Sequence, residues 1–256
     1  MQRLSHFIKE TILDVARNVS TANKTKHTNF NPMKKLFAYF KHPTESIAKE
    51  DSASIKSLIL FYILMEGLFI IVMVPFALAG IAPENSLSNL KESGLPFWFI
   101  AFIAPALEEL AFRLPLKRSR FIFMISFSVI CWYISKYLPI FAGQTYSGQH
   151  LWLRLSISIA AGFILGYLLT KPLQKVRFGV VFYVFAFLFG FLHISNYAGQ
   201  ITSFAIAIYV LIYLLNKVAM GMFLGYIRVR YTIFTSIAVH ILNNLPGMMI
   251  LFFALP

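Results

Sequence analysis

Seven stretches of this chain run almost unbroken through apolar residues, and the polar and charged positions gather in the intervals between them. The stretches fall at residues 55–82, 95–116, 121–142, 151–170, 178–196, 203–227 and 231–255. Most approach or exceed the roughly 20 residues a helix needs to cross about 30 Å of hydrocarbon. The pattern therefore predicts an all-α fold, a polytopic transmembrane helix bundle of about seven spans. Residues 1–54 are different in kind: Lys24, Lys26, Lys34, Lys35 and Lys41 stand among Asn, Thr and Pro, with no apolar core of the sort a cleaved signal peptide requires. They read as a polar, basic, cytosolic segment ahead of a membrane domain at 55–256. A solvated tail suits such a tract; a short amphipathic helix over 6–19, lying on anionic lipid, is the alternative.

Composition agrees with the pattern. Of the 256 residues 58% are hydrophobic and 13% charged, against roughly 25% charged in a soluble domain. The formal net charge of +13 would suit a nucleic-acid partner if the cations formed one patch, but they alternate from loop to loop. Lys117, Arg118 and Arg120 follow the second stretch, Lys171, Lys175 and Arg177 the fourth, and Arg228 and Arg230 the sixth, whereas the loop around Gly143–Gln149 carries no charge. Such alternation places the basic loops and the N-terminus in the cytosol and Pro256 on the far side. The positive balance thus reports a lipid bilayer and no nucleic acid. Cys131 is the single cysteine, so no disulfide framework exists.

The ionisable groups inside the apolar stretches are few: Glu66, Glu108, Glu109, Arg113, Lys136, Arg154, His193, Lys217 and His240. Lys136 and Arg154 lie near predicted span ends, where they can snorkel. Glu66 and Lys217 can neutralise one another across helices or line an ion path. All ten acidic residues lie at or before Glu109. On a helix Glu109 and Arg113 share a face as an i, i+4 pair, while Glu108 points about 100° away. That separation lets two adjacent carboxylates take different tasks. Pro105 removes a backbone donor just upstream and bends the helix. Phe189 and His193 share a second face, and His240 and Asn244 a third. An imidazole can accept a proton, ligate a metal or face an oxyanion, and an asparagine one turn away adds a donor. Read singly, each is equally well an interhelical hydrogen bonder or a structural latch. The GxxxG pairs Gly162/Gly166 and Gly221/Gly225 suit close helix packing within one chain.

EELAFR, FGFLH and HILNN, in that order, resemble the CPBP family of intramembrane proteases, which includes CAAX prenyl proteases and bacterial Abi and bacteriocin-processing proteins. Its motifs E-E-x-x-x-R, F-x-x-x-H and H-x-x-x-N/D match at Glu108, Glu109 and Arg113, at Phe189 and His193, and at His240 and Asn244. The resemblance implies an intramembrane endopeptidase, a hydrolase acting on a membrane-associated peptide or protein that is prenylated or carries a leader, in a bacterial plasma membrane. It implies Glu108 as the base that activates water, His193 as the group holding that water, His240 and Asn244 as oxyanion stabilisers, and Glu109, Arg113 and Phe189 as residues shaping the site. No cofactor is favoured, although Glu108, His193 and His240 would be the zinc ligands of a metal-dependent variant. The chain departs from the family in the 85 positions between Glu108 and His193, which admit two extra spans, and in Leu114 where a glycine is frequent. From another class, a non-catalytic membrane scaffold or a small transporter would use the same buried groups, but the halves show no internal repeat.

At 1.5 Å per residue Glu108 lies about 13 Å, His240 about 15 Å and Asn244 about 21 Å from the cytosolic ends of their spans. His193 comes out deeper, at about 24 Å, which requires its span to tilt or start late.

Overall fold

The computed structural model describes residues 32–48, 54–81, 83, 96–135, 151–197 and 199–249. Among them the protein is all-helical: α1 (Pro32–Lys41), α2 (Ile55–Leu78), α3 (Ala104–Phe112), α4 (Arg120–Ser135), α5 (Leu151–Lys175), α6 (Phe178–Leu192), α7 (Phe204–Arg230) and α8 (Ile233–Met249). Four helical runs are long and apolar enough to cross a membrane, namely Lys56–Leu78, Leu151–Lys175, Phe178–Tyr197 and Phe204–Arg230; Arg120–Ser135 is apolar but shorter. The remaining two predicted spans are shorter or broken. Residues 231–255 contribute α8 of 17 residues, and 95–116 divides into a π-helical turn Phe99–Ile103, α3 and a 3-10 turn Leu114–Lys117. Pro105 explains the division: it has no N–H for an i→i−4 bond, so the backbone upstream winds wider, Ala104 N–H reaching Phe99 O, before the α-helix starts. The 6–19 segment, Glu84, Lys91, Glu92, Lys136 and Gly143–Gln149 lie outside the described residues.

Two antiparallel pairs make the scaffold. Along α4 and α5 the backbones nearly touch, because a Cβ built on Gly162 would stand 2.1 Å from Ser128 N and one on Gly166 2.5 Å from Met124 Cα. Along α6 and α7 a Cβ on Gly221 would meet Ala186 O at 3.0 Å, and one on Gly225 the Phe182 ring at 2.7 Å. Both GxxxG pairs are therefore spent within the chain. The α4–α5 pair buttresses α3: Ser126 Oγ donates to Ala111 O at 2.6 Å, and Phe123 is fully buried. Arg154 does not snorkel. It is buried and caps the end of α4, donating to Ser135 Oγ at 2.6 Å and Trp132 O at 2.9 Å, with its guanidinium 4.0 Å over the Trp132 ring.

At the opposite end of that pair the basic loops meet. Arg118, at φ 54°, donates to Leu173 O at 2.7 Å, Gln174 O at 2.5 Å and Val176 O at 2.8 Å, and pairs with Glu45 at 2.5 Å. These bonds satisfy the orphan carbonyls ending α5 and offset the cost of a left-handed non-glycine residue. The N-terminal segment is not wholly a solvated tail: α1 sits on this same end. Leu36 and Tyr39 are buried, Tyr39 meets Phe182 and Tyr226 edge-on at 5.6 and 5.1 Å, and Tyr183 donates its hydroxyl to Phe40 O.

Candidate functional site

α3, α6 and α8 each bring one polar group of the three-part pattern into a common space. Glu109 is fully buried. Its Oε1 lies 3.5 Å from Arg113 Nε and accepts from His240 Nδ1 at 2.9 Å, while its Oε2 accepts from Ser236 Oγ at 2.5 Å. The i, i+4 expectation for Glu109 and Arg113 thus holds as an ion pair, though not as an aligned hydrogen bond: none of the Arg113 side-chain nitrogens has a hydrogen-bond acceptor among the described residues. The guanidinium carbon instead lies over Phe189, 3.8 Å from the ring centroid. In a low-dielectric interior such a contact holds a cation by the ring quadrupole.

Glu108 is 23% exposed, and its Oε2 stands 3.6 Å from His240 Nε2. That spacing exceeds a hydrogen bond, and this oxygen, itself buried, has no hydrogen-bond partner among the described residues. His240 is therefore flanked on both ring nitrogens by carboxylates of adjacent residues. Its ring is also braced edge-on by Phe189 at 5.7 Å.

His193 closes the other side. Its Nδ1 lies 2.8 Å from Phe189 O, which makes Nδ1 the donor and leaves Nε2 as the free nitrogen. The ring packs on Phe189 at 4.8 Å and faces Tyr213 at 6.4 Å. The helix does not start late: α6 begins at Phe178, directly after Arg177, and ends at Leu192, where His193 opens a 3-10 turn, His193–Tyr197, so the depth of about 24 Å stands.

Asn244 lies one turn beyond His240 on α8. Its Oδ1 accepts from Asn243 Nδ2 at 2.8 Å, and Asn243 Oδ1 in turn accepts from the Tyr62 hydroxyl of α2. Ser236, Asn243 and Tyr62 were not among the sequence candidates. Ser236 had a readable signal, since it precedes His240 by four residues; Tyr62 had none. Glu66 and Lys217 make no ion pair among the described residues, and the Lys217 ammonium lies 5.3 Å over the Tyr213 ring.

Both histidines anchor Nδ1; among the described residues Nε2 of His193 has no hydrogen-bond partner, and Nε2 of His240 faces Glu108 Oε2, a disposition that suits either a held water or a metal. Among the described residues, however, no three His, Cys, Asp or Glu side chains converge closely enough to hold a metal ion. Glu108, His193 and His240 as placed do not fit a zinc ligand set. No family model, curated protein or solved structure matches the chain.

Proposed function

We propose that this chain is a multi-pass intramembrane endopeptidase of the CPBP type, which hydrolyses a peptide bond of a membrane-associated substrate with water activated by Glu108. The observation that carries the reading is the pairing of a buried, unpartnered Glu108 Oε2 with His240 Nε2 at 3.6 Å, at a point where three motif-bearing helices meet. A base needs a free lone pair within reach of a proton.

The proposed oxyanion role has His240 carry a hydrogen on each ring nitrogen, Nδ1–H donated to Glu109 Oε1 and Nε2–H kept for the reaction. Glu108 takes a proton from water as the water oxygen bonds to the scissile carbonyl carbon. Nε2–H of His240 and the Asn244 amide stabilise the resulting oxyanion. Glu108 then returns the proton to the leaving nitrogen as the C–N bond breaks. His193 Nε2, a lone-pair acceptor, orients the water. The bundle has seven spans with the basic loops and N-terminus in the cytosol of a bacterial plasma membrane, and the substrate is a prenylated or leader-bearing chain.

The test uses purified full-length protein in detergent with two quenched fluorescent peptides, one farnesylated near its C-terminus and one an unlipidated leader, with products located by mass spectrometry. Wild type is expected to cut at least one of them, and Glu108→Gln to cut it slower by about 10²-fold or more. A Gln variant as fast as wild type, or a wild type that cuts neither peptide, would count against the assignment.

A further inference from the structure

We propose that Tyr62 and Asn243 are positioning residues that fix which edge of the Asn244 amide is offered to the Glu108–His240 site; the inference rests on the endopeptidase reading above. An asparagine amide rotated by 180° keeps its shape but exchanges donor for acceptor, so only its partners decide which edge faces the reaction. For an oxyanion the difference is decisive. An NH2 edge stabilises it and a carbonyl edge repels it.

The partners form a directed chain. Tyr62 is held by α7, its ring stacked on Phe223 at 6.0 Å, and its hydroxyl donates to Asn243 Oδ1. With Oδ1 occupied, Asn243 turns its Nδ2 to Asn244 Oδ1 at 2.8 Å. The carbonyl of Asn244 is thereby engaged, and the edge left over is the NH2. Asn244 shares a face with His240, one turn away on α8. A phenol on α2 thus sets the polarity of a donor on α8 through two hydrogen bonds without touching the reacting atoms.

Breaking the chain at either link should release the Asn244 amide to rotate. Tyr62→Phe removes the first donor and keeps the ring; Asn243→Asp keeps the shape and removes the second donor. With the peptide that wild type cuts, Tyr62→Phe is expected to lower kcat about 10-fold and Asn243→Asp about 100-fold, with KM within about twofold in both. In an Asn244→Ala background both changes should leave kcat untouched, because they act only through Asn244. Thermal melting in detergent accompanies each variant to read folding separately. The inference is overturned if kcat is unchanged in both single variants, or if their losses persist undiminished in the Asn244→Ala background, which is the behaviour of a plain latch between α2 and α8. Glu108→Gln, run alongside, separates the two ideas: if it cleaves like wild type, the endopeptidase reading itself fails and this inference falls with it.

Discussion

The ring of His240 stands between two glutamates that are neighbours in sequence, donating Nδ1–H to Glu109 Oε1 at 2.9 Å and placing Nε2 at 3.6 Å from Glu108 Oε2. One carboxylate is tied and the other is free. Glu109 has Arg113, His240 and Ser236 around it, so it serves as the anchor of the arrangement. Among the described residues Glu108 has only the approach of His240, so it is the carboxylate with capacity to react.

That asymmetry separates stability from activity. Glu109→Ala would strand the buried guanidinium of Arg113 without its counter-charge, and a broken buried pair of this kind costs about 3–5 kcal/mol. Glu108→Gln loses no hydrogen bond at Oε2, and its stability is expected to stay within about 0.5 kcal/mol of wild type. Thermal melting of both variants in one detergent checks the contrast; equal losses would mean that the two glutamates are not divided in this way.

Much of this local chemistry was legible because it follows helix periodicity. The Glu109–Arg113 ion pair comes from positions four residues apart on one helix. What was not legible depends on how distant helices meet. Nothing in the spacing of α2 announces that Tyr62 reaches Asn243, 181 positions away. The docking of α1 was hidden as well, since Leu36, Tyr39 and Phe40 are scattered among lysines and read as a polar tract, while the aromatic rings that Tyr39 and Phe40 meet come from distant helices, Phe61 of α2, Phe182 of α6 and Tyr226 of α7. Arg154 looked like a snorkelling cation because its distance from a span end was visible and the carbonyl of Trp132 was not.

The glycines make a second contrast. A side chain at Gly162 would press on the backbone of Ser128, so Gly162→Ala must push α4 and α5 apart and is expected to cost about 1–3 kcal/mol. Gly67, in the middle of α2, has nothing within 4 Å of a built Cβ. Gly67→Ala should instead gain up to about 1 kcal/mol from helix propensity alone. The check is the sign of the shift in melting temperature, opposite for the two variants.

Lys217 sits thirteen residues from either end of α7, about 20 Å along the axis, farther than its stem can carry the ammonium to water. Its contact is the face of Tyr213, and no carboxylate pairs with it among the described residues. A lone cation at that depth costs about 2.5–3.5 kcal/mol, so Lys217→Met is expected to raise the melting temperature. A fall would reveal that the ammonium is held by an anion, for which a bound lipid or peptide carboxylate would then be sought by mass spectrometry.

On metal dependence the two histidines point both ways. Each has its Nδ1 anchored, His240 on a carboxylate and His193 on a carbonyl, the outer-shell arrangement common to zinc-bound imidazoles. Yet a structural or catalytic zinc also needs at least three protein ligands about 2 Å from one point, and no such group converges among the described residues. Hydrolysis by Glu108 and a directly held water uses the same anchored rings without that convergence. Protein purified without added metal is therefore expected to hold well under one zinc per chain by atomic emission, and cleavage should survive phenanthroline. His193→Ala and His240→Ala should each depress kcat while leaving metal content unchanged. One zinc per chain, lost in both histidine variants and restoring activity after chelation, would mean that substrate or lipid draws Glu108, His193 and His240 together, and would replace the metal-free step while leaving peptide hydrolysis in place.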